Sequence, residues 1–451
     1  MPLHASKVPS GADGAKTYRI VMWRLMPVLM LAYILNYLDR SNIGLAKLQF
    51  LHDLGMSESA YGLTAGAFYL GYVSLGVPVN IALGKIGARK SLLTIMMAWG
   101  LLSAALAFVT APAHFYVLRF LIGVAETGFL PAVLLYLSRW VPQQQRARFN
   151  GIFLAAIAVA GFIGGPLGGT IMQGANGAFG LRGWQQLFLL EGLPTCVMSI
   201  VVFFGLTEKP QDATWLSEGQ KQQIEDDLAS AHRSLSSSPR DRVHASLWSA
   251  FRDRRFLALM AIAVSGSVGT SAIGLWLPTI IRETGISDIL VIGLLSAIPN
   301  GFAIFVQYFN ARHSDRAGER RWHAAGPLLI AALGWCVMPA IAHNPWLAIV
   351  VMTVIASATF SFTGPFWSMP TTLLSGKAAA GGLGAITSVL GLGSFISPIL
   401  VGWLIDRTHT LAAGEIYFAA VLALGSTALL LGVPSLKTAE SNNQLRMSDS
   451  S

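Results

Sequence analysis

The basic stretch GKIGARK at residues 84–90 returns 231 residues later as DRAGERR at residues 315–321. Each copy follows an apolar run of about 20 residues, the length that crosses a bilayer as a helix. The prolines Pro166 and Pro398, inside two further apolar runs, lie almost the same distance apart. Chance does not preserve such an offset, so the chain is expected to contain a duplicated helical unit.

Apolar runs of membrane-spanning length recur from end to end of the chain. Of its 451 residues, 53% are hydrophobic and only 12% charged, whereas soluble domains are nearer a quarter charged. We therefore predict an all-α integral membrane protein in which twelve transmembrane helices form two pseudo-symmetric six-helix bundles. The twelve predicted spans are 22–44, 60–82, 91–110, 113–138, 148–173, 184–206, 257–281, 288–311, 324–343, 346–370, 380–404 and 414–434.

Charge placement predicts the topology. Most of the 31 Lys and Arg residues fall in loops on the side of the chain termini, which the positive-inside rule assigns to the cytoplasm of a bacterial inner membrane. The net charge of +9 is thus a topology signal rather than a sign of nucleic-acid binding. The predicted parts are a cytoplasmic tail (1–20), an N-terminal bundle (21–206), a polar cytoplasmic linker (207–256), a C-terminal bundle (257–434) and a second cytoplasmic tail (435–451).

Several local motifs accompany the repeat, and together they resemble one family. They are NYLDRSN (36–42), RFLIGVAE (119–126) running on to Pro131, LLEGLP (189–194), SDR (314–316) and GPFW (364–367). With the basic loops, they are similar to the anion:cation symporter family of the major facilitator superfamily, in the branch of phthalate, tartrate and hydroxyphenylacetate permeases. The resemblance implies a transporter of organic anions and covers nearly the whole chain.

Five acidic or basic residues lie in the interior of predicted spans, away from the first few residues, and all are in the first half: Asp39, Arg40, Arg119, Glu126 and Glu191. A charge at bilayer depth costs several kcal/mol, about 2.5–3.5 on insertion scales, so such residues usually pair and line a transport pathway. The alternative is a static ion-pair network that only fixes helix packing. The second half is expected to carry no charge within its spans.

The chemistry of these groups suggests their roles. Arginine stays charged and grips a carboxylate through two parallel hydrogen bonds, so Arg40 is the first choice for binding a substrate carboxylate. Arg119 either does the same or holds Asp39 or Glu126 ionised. A carboxyl group in a dry site takes up a proton more readily than in water, and the family resemblance also implies Asp39 and Glu126 as the proton-carrying pair. Residues on the same face of span 1 as Arg40 complete the expected binding surface: Tyr33, Asn36 and Tyr37.

The basic loops are expected to act as conformational latches. Glycine permits a tight turn, and the cations meet helix C-termini and an acid across the interface between the bundles. Gly84 stands where the family usually has Asp, which implies a weaker latch in the first half or an acid supplied from elsewhere. The candidate gating residues are Lys85, Gly87, Arg89, Lys90, Asp315, Arg316, Gly318 and Arg320. Glu191 is placed with them, and it is expected either to serve helix packing or gating or to take part in proton coupling.

The second half offers uncharged candidates for the substrate site. Trp367, Thr387 and Ser388 are the expected binding residues, among a wider lining of Trp276, Asn300, Gln307, Phe362 and Phe366. Few amides mean few partners for substrate hydroxyl groups, which favours an aromatic acid over a polyhydroxy acid.

The predicted function is proton-coupled uptake of an organic carboxylate by a monomer, with an aromatic acid such as phthalate as the first-choice substrate. Tartrate or another hydroxy or sugar acid is the alternative, as is an uncoupled uniporter. A membrane enzyme is disfavoured because no catalytic cluster stands at a span end. We expect no cofactor and no metal, the energy source being the proton gradient.

Overall fold

A computed structural model describes residues 11–237, 253–373 and 376–433, and these residues are helical nearly throughout, with no β-strand among them. The predicted all-α membrane fold is confirmed. The helices are α1 (Gly11–Ser41), α2 (Ile43–Asp53), α3 (Glu58–Ser74), α4 (Gly76–Gly84), α5 (Ala88–Leu106), α6 (Pro112–Glu126), α7 (Phe129–Ser138), α8 (Gln143–Gly174), α9 (Gly183–Gly205), α10 (Glu218–Ser237), α11 (Arg254–Glu283), α12 (Ile289–Ala317), α13 (Arg321–Ile341), α14 (Pro345–Ser361), α15 (Thr363–Leu373), α16 (Gly376–Thr408) and α17 (Ala412–Gly432).

Ten helical segments in the described ranges are long and apolar enough to cross a membrane, against twelve predicted spans. The other two predicted spans are also helical. One is α3 followed by α4, with an interruption at Leu75, and the other is α5, which is 19 residues long and begins with Arg89 and Lys90 in its first turn. Length and composition therefore undercount spans that are broken or begin with cations.

Prolines account for two of the breaks. Proline cannot donate to the carbonyl four residues earlier. Pro131 removes the bond to Thr127, where α6 gives way to α7, and Pro365 removes the bond to Ser361, where α14 ends. The freed Ser361 carbonyl accepts the Asn310 side-chain amide at 2.8 Å, so a neighbouring helix satisfies the backbone group, as an apolar environment requires.

Helices α1–α9 (the N-terminal group) pack mainly on one another, as do α11–α17 (the C-terminal group). Close pairs include α3 with α6 and α5 with α9 in the first, and α13 with α17 and α12 with α14 in the second. The two groups meet through α3 with α16, α8 with α12 and α2 with α11. At the α8–α12 contact, a Cβ atom on Gly165 or Gly293 would overlap the other's carbonyl oxygen. Gly165 of α8 and Gly293 of α12 thus serve close helix packing.

Part of the predicted linker is a helix that docks on the start of α1. Tyr18 donates to Asp227 of α10 at 2.8 Å, and Thr17 donates to Gln223 at 2.8 Å. Residues 11–20, predicted to be tail, are helical because they continue α1 and pack here. Residues 1–10 of the first predicted tail, linker residues 238–252, residue 434 and the whole second predicted tail (435–451) lie outside the described residues.

Candidate functional site

The site begins where α3 and α6 touch backbone to backbone. A Cβ atom on Gly123 would overlap the carbonyl oxygen of Phe68, and one on Gly71 would overlap that of Phe120. Only glycine permits this approach at both positions. The contact places the Phe68 ring beside the charged face of α6, with the Arg119 guanidinium 4.8 Å from the ring centroid.

Arg40 and Glu126 form an ion pair between α1 and α6. The Arg40 Nη2–Glu126 Oε2 distance is 2.6 Å and Nε lies 3.2 Å from the same oxygen. The Glu126 side chain is fully buried, whereas the Arg40 side chain is 24% exposed. Arg40 also lies 5.0 and 5.1 Å from the centroids of Phe68 and Tyr72. Arg40 therefore has a buried anionic partner while keeping a route to water.

Asp39 and Arg119 are buried at the same centre but do not form an ion pair with each other. In the described part of the chain, no carboxylate oxygen lies within 4 Å of an Arg119 nitrogen. Asp39 Oδ1 accepts the hydroxyl of Ser103 from α5 instead. Arg119 therefore forms no ion pair with Asp39 or Glu126 in this conformation. Its Nε and Nη1 have no hydrogen-bond partner.

Each buried carboxyl group of this centre has one bonded oxygen and one bare oxygen. Asp39 Oδ2, Glu126 Oε1 and Glu191 Oε2 are buried with no hydrogen-bond partner, as is the Asn36 amide nitrogen. A buried polar group without a partner costs about 1–3 kcal/mol, so each of these atoms is expected to take a partner such as water, a proton or a ligand. A proton on the bare oxygen of Asp39 or Glu191 would leave its existing hydrogen bond in place.

Glu191 takes a partner that the sequence did not single out. Asn42, at the join of α1 and α2, donates its side-chain amide to Glu191 Oε1. This contact does not decide between a packing or gating role and a role in proton coupling. It does tie span 6 to the part of span 1 that lines the cavity between the two helix groups.

The residues predicted to share one face of span 1 with Arg40 lie in two different environments in the structure. Tyr37 lines the cavity between the groups. Tyr33 instead stacks on Phe153 of α8 at 4.6 Å between ring centroids and packs near Phe129. Tyr33 therefore belongs to the aromatic core of the N-terminal group, and Asn36 is buried beside it.

Two cavities flank the charged centre. One, of about 60 Å³, lies between the groups and is lined by polar residues that include Asn42, Thr270 and Asn300. It has room for a few water molecules. A larger cleft of about 480 Å³ lies between α3–α4 and α16, where Tyr72 and Asn80 face the predicted binding residues Thr387 and Ser388. Trp367 is 38% exposed and contacts Phe366 edge to face.

Two buried charges correct the sequence analysis. Glu415, in the first turn of α17, is 3% exposed, so the second half does carry a charge within a span. Lys47 lies outside the predicted span 22–44, yet it is buried in α2. Its ammonium pairs with Glu58 at 2.7 Å and lies 4.0 Å from the Trp276 centroid. The reason is that helical structure continues past residue 44 through α2.

The basic loops make equivalent contacts in both groups. Arg89 Nε donates to the Phe203 carbonyl at the end of α9 at 3.0 Å, and Arg321 donates to the Leu430 carbonyl at the end of α17 at 2.6 Å. Gly87 and Gly318 have φ values of 86° and 62°, a region that glycine adopts readily. A contact of Arg89 with a helix C-terminus was predicted and is observed, but in the second copy Arg321 makes the contact and the predicted Arg320 does not.

The acid missing at Gly84 comes from Glu208. Its two oxygens accept the backbone N–H groups of Ala88 and Arg89 at 3.1 Å each, and Arg139 forms an ion pair with it. An acid supplied from elsewhere was one of the two expectations for Gly84, and the position of Glu208 agrees with it. The expected position across the interface is wrong for this conformation, because Glu208 and its partners belong to one helix group. In the second copy, Asp315 pairs with Arg320 at 2.7 Å, again within its group.

The two helix groups are joined at the end opposite the chain termini. We call this the distal seal, and it consists of Lys47, Glu58, Tyr61, Thr279 and Asp406. Asp406 of α16 accepts the backbone N–H groups of Glu58 at 3.1 Å and Ser59 at 2.8 Å, at the start of α3. Lys47 reaches Thr279 at 3.2 Å, and Tyr61 donates to the Leu275 carbonyl at 3.0 Å.

Some partners were missed because they look ordinary in sequence. Phe68 and Tyr72 are aromatic residues in an apolar run, and their spacing of four was the available signal for a shared face. Ser103 is one hydroxyl in a span rich in alanine and leucine. Glu208 had a clearer signal, because it is an acid just after span 6 in a chain that lacks the usual acid at position 84.

Two helix groups enclosing a buried charged centre, sealed at one end, define a membrane transporter rather than an enzyme. The chain belongs to the Major Facilitator Superfamily, whose model matches residues 29–398. It is 39% identical over 417 residues to a putative tartrate transporter of Agrobacterium vitis, covering 92% of this chain and 91% of that protein.

It is also 40% identical over 437 residues to the putative metabolite transport protein NicT of Pseudomonas putida, covering 96% of this chain and 99% of that protein. These relatives agree with the predicted anion:cation symporter branch. Among solved structures, a bacterial homologue of the human lysosomal transporter Spinster in an inward-facing, occupied conformation matches with a TM-score of 0.73. Its sequence identity is 15%, and the match covers 90% of this chain and 96% of that one, which supports the fold alone.

Proposed function

We propose that the chain is a proton-coupled symporter that imports an organic carboxylate anion across a bacterial inner membrane, with both termini in the cytoplasm. The observation that carries the proposal is the ion pair between Arg40 and the fully buried Glu126. Each chain contains the whole charged centre, so a monomer suffices.

Coupling follows from competition for one guanidinium. Arg40 binds a substrate carboxylate well only when Glu126 no longer neutralises it. A proton on Glu126 removes that negative charge and releases Arg40 to the incoming anion. Proton binding and anion binding therefore strengthen each other, and linkage makes the effect reciprocal. Asp39 is the second candidate proton carrier, and Arg119, whose Nε and Nη1 lack partners, is available to a second substrate oxygen.

The conformation fits one half of an alternating-access cycle. With the termini in the cytoplasm, the distal seal faces the periplasm. The described contacts then close the outer side, and the cleft lined by Thr387 and Ser388 lies toward the inner side. Rocking of the two helix groups would break the seal and open the charged centre outward.

Two substrate classes have specific support. The rings of Phe68 and Tyr72 beside Arg40 suit an aromatic acid such as phthalate, which is the first choice from the sequence. Relatives named as tartrate transporters support a hydroxy acid. Competition of each acid, at equal concentration, against uptake of labelled tartrate and labelled phthalate into proteoliposomes distinguishes them.

Uptake measured with and without an inward proton gradient tests the coupling. We expect accumulation only with the gradient, and uptake that ignores the gradient would establish the uniporter alternative. Glu126→Gln is expected to abolish accumulation while retaining exchange of substrate across the membrane. Glu218→Gln, the same change on the exposed face of α10, is the matched control and should behave as the unaltered protein. Normal gradient-driven accumulation by Glu126→Gln would remove Glu126 from the mechanism.

A further inference from the structure

A cleft that the transport site does not use lies at the other end of α1. It has a volume of about 320 Å³ and is lined by Arg19, Ile20, Trp23, Arg24 and Trp215. The four residues of α1 are spaced at i, i+1, i+4 and i+5, so they share one face of the helix. The fifth comes from the linker, so the cleft spans two parts of the chain.

The linker side of the cleft is held in place by packing. Trp215 stacks on Trp140, with 5.4 Å between ring centroids and an interplanar angle of 10°. The bonds from Tyr18 to Asp227 and from Thr17 to Gln223 fasten the following helix, α10, to α1. The cleft is therefore a shaped feature of the fold rather than a chance gap between loose side chains.

Its charge is positive and uncompensated. Both Arg19 and Arg24 are exposed, and across the described ranges neither has a carboxylate oxygen within 4 Å. Asp227 of the docked helix already accepts the hydroxyl of Tyr18, the residue that precedes Arg19. Two guanidinium groups can hold a phosphate group through parallel hydrogen bonds.

Its position is that of a membrane interface. Trp23 is 75% exposed although it is large and apolar, and it lies at the start of predicted span 1. Tryptophan concentrates at the level of the lipid headgroups. An arginine at a helix end extends its guanidinium toward the interface while its stem stays on apolar surface. In this position the guanidinium groups of Arg19 and Arg24 can contact a lipid headgroup, and the indole ring of Trp23 can contact the acyl chains below it.

We propose that this cleft binds the phosphate headgroup of an anionic phospholipid of the inner leaflet, between Arg19 and Arg24, with Trp23 and Trp215 flanking it. The choice of leaflet rests on the cytoplasmic placement of the termini in the proposed function. Phosphatidylglycerol and other anionic lipids carry the required phosphate, and basic clusters beside a span are the usual recognition element for them. Through Trp215, a bound lipid would join the linker to the N-terminal group.

Lipid binding to the purified full-length protein tests the proposal by native mass spectrometry, in titrations with phosphatidylglycerol and with phosphatidylcholine. The variant is Arg19→Gln with Arg24→Gln. The control, Arg148→Gln with Arg255→Gln, removes the same charge from exposed arginines at the starts of α8 and α11. About 1 kcal/mol per arginine near a charged surface is roughly five-fold in affinity, so the double variant should bind phosphatidylglycerol roughly 30-fold more weakly. The control should change it less than three-fold.

Three results would overturn the proposal: equal weakening in the control, equal affinity of the unaltered protein for the two lipids, or displacement of phosphatidylglycerol by millimolar inorganic phosphate, which would indicate a soluble anion instead. Hydrogen exchange gives an independent readout, because anionic lipid should protect residues 213–216 in the unaltered protein and not in the double variant. Neither measurement involves transport, so failure here is distinct from failure of the symport proposal.

Discussion

Asp406 gives the sharpest test of the distal seal. Its carboxylate accepts two backbone N–H groups at the start of α3, at 3.1 and 2.8 Å, and it belongs to the other helix group. The contact exists only while the distal ends are together. Weakening it should therefore shift the population toward the state that is open at this end, without altering the charged centre.

The size of the effect can be worked from the geometry. In Asp406→Asn, the one remaining side-chain oxygen accepts only one of the two backbone N–H groups. The amide NH2 group replaces the other oxygen, and because it is itself a donor it cannot accept the second N–H. A hydrogen bond to a charged group contributes about 1.5–3 kcal/mol, and a negative charge at a helix N-terminus adds about 0.3–1 kcal/mol. A loss of about 2 kcal/mol corresponds to roughly a 30-fold change in the equilibrium.

Labelling of a single cysteine measures this change. Ser41→Cys lines the cavity between the groups and is introduced with Cys196 and Cys336 replaced by alanine. A membrane-impermeant maleimide added outside intact cells reaches it only when the distal end opens. Asp406→Asn should raise the labelling rate by one order of magnitude or more. The control is Asp53→Asn, an acid at the same end whose partner Trp184 lies in its own group. An unchanged rate for Asp406→Asn, or an equal rise in the control, would refute the argument.

Three further substitutions test other contacts. Arg40→Lys should raise the KM for the substrate at least ten-fold, because an ammonium lacks the two-pronged guanidinium geometry; an unchanged KM would reassign the carboxylate to another cation. Gly123→Ala should lower the free energy of unfolding by about 1–3 kcal/mol, because the new Cβ atom overlaps a backbone oxygen of α3. The control Gly151→Ala has open space around it and should not change the stability. Equal shifts of the melting temperature in the two variants would count against the contact. Lys47→Met should open the distal end in the same labelling assay, because Glu58 loses its partner, and an unchanged labelling rate would show that this pair contributes nothing to closure.

The fold could be predicted because its causes are local or periodic. Apolar runs of bilayer length specify helices, and a repeat with a fixed offset specifies two related groups. The breaks within spans were less visible. Pro131 and Pro365 mark them, but a membrane helix tolerates proline when a neighbour bonds the freed carbonyl, as Asn310 does for Ser361. That rescue depends on a helix about 50 residues away, so the sequence of the span alone does not reveal it.

The charged residues could be predicted, and their partners could not. Each buried charge is conspicuous in an apolar run. Whether Arg40 meets Glu126 or Asp39 depends on helix rotation and rotamer choice, which sequence spacing leaves open. Asp39 bonds to Ser103, one of many small hydroxyls in the chain. Lys47 was misplaced for a different reason: a 20-residue span ends before it, whereas helix continues through α2 to Asp53.

The repeat makes the position of the charges meaningful. At the repeat offset, Asp39 and Arg40 correspond to Thr270 and Ser271. In the structure Thr270 lines the cavity between the groups, and Ser271 donates to the Ser394 hydroxyl at 3.2 Å. The equivalent surface of the C-terminal group is thus neutral and hydrogen-bonded. Removing a charge from water is costly, and a rocking cycle exposes and reburies whichever surface carries it. In the proposed symport cycle, keeping the proton-carrying groups on one side would confine that cost to a single set of charges, while the neutral side could close over substrate and proton together.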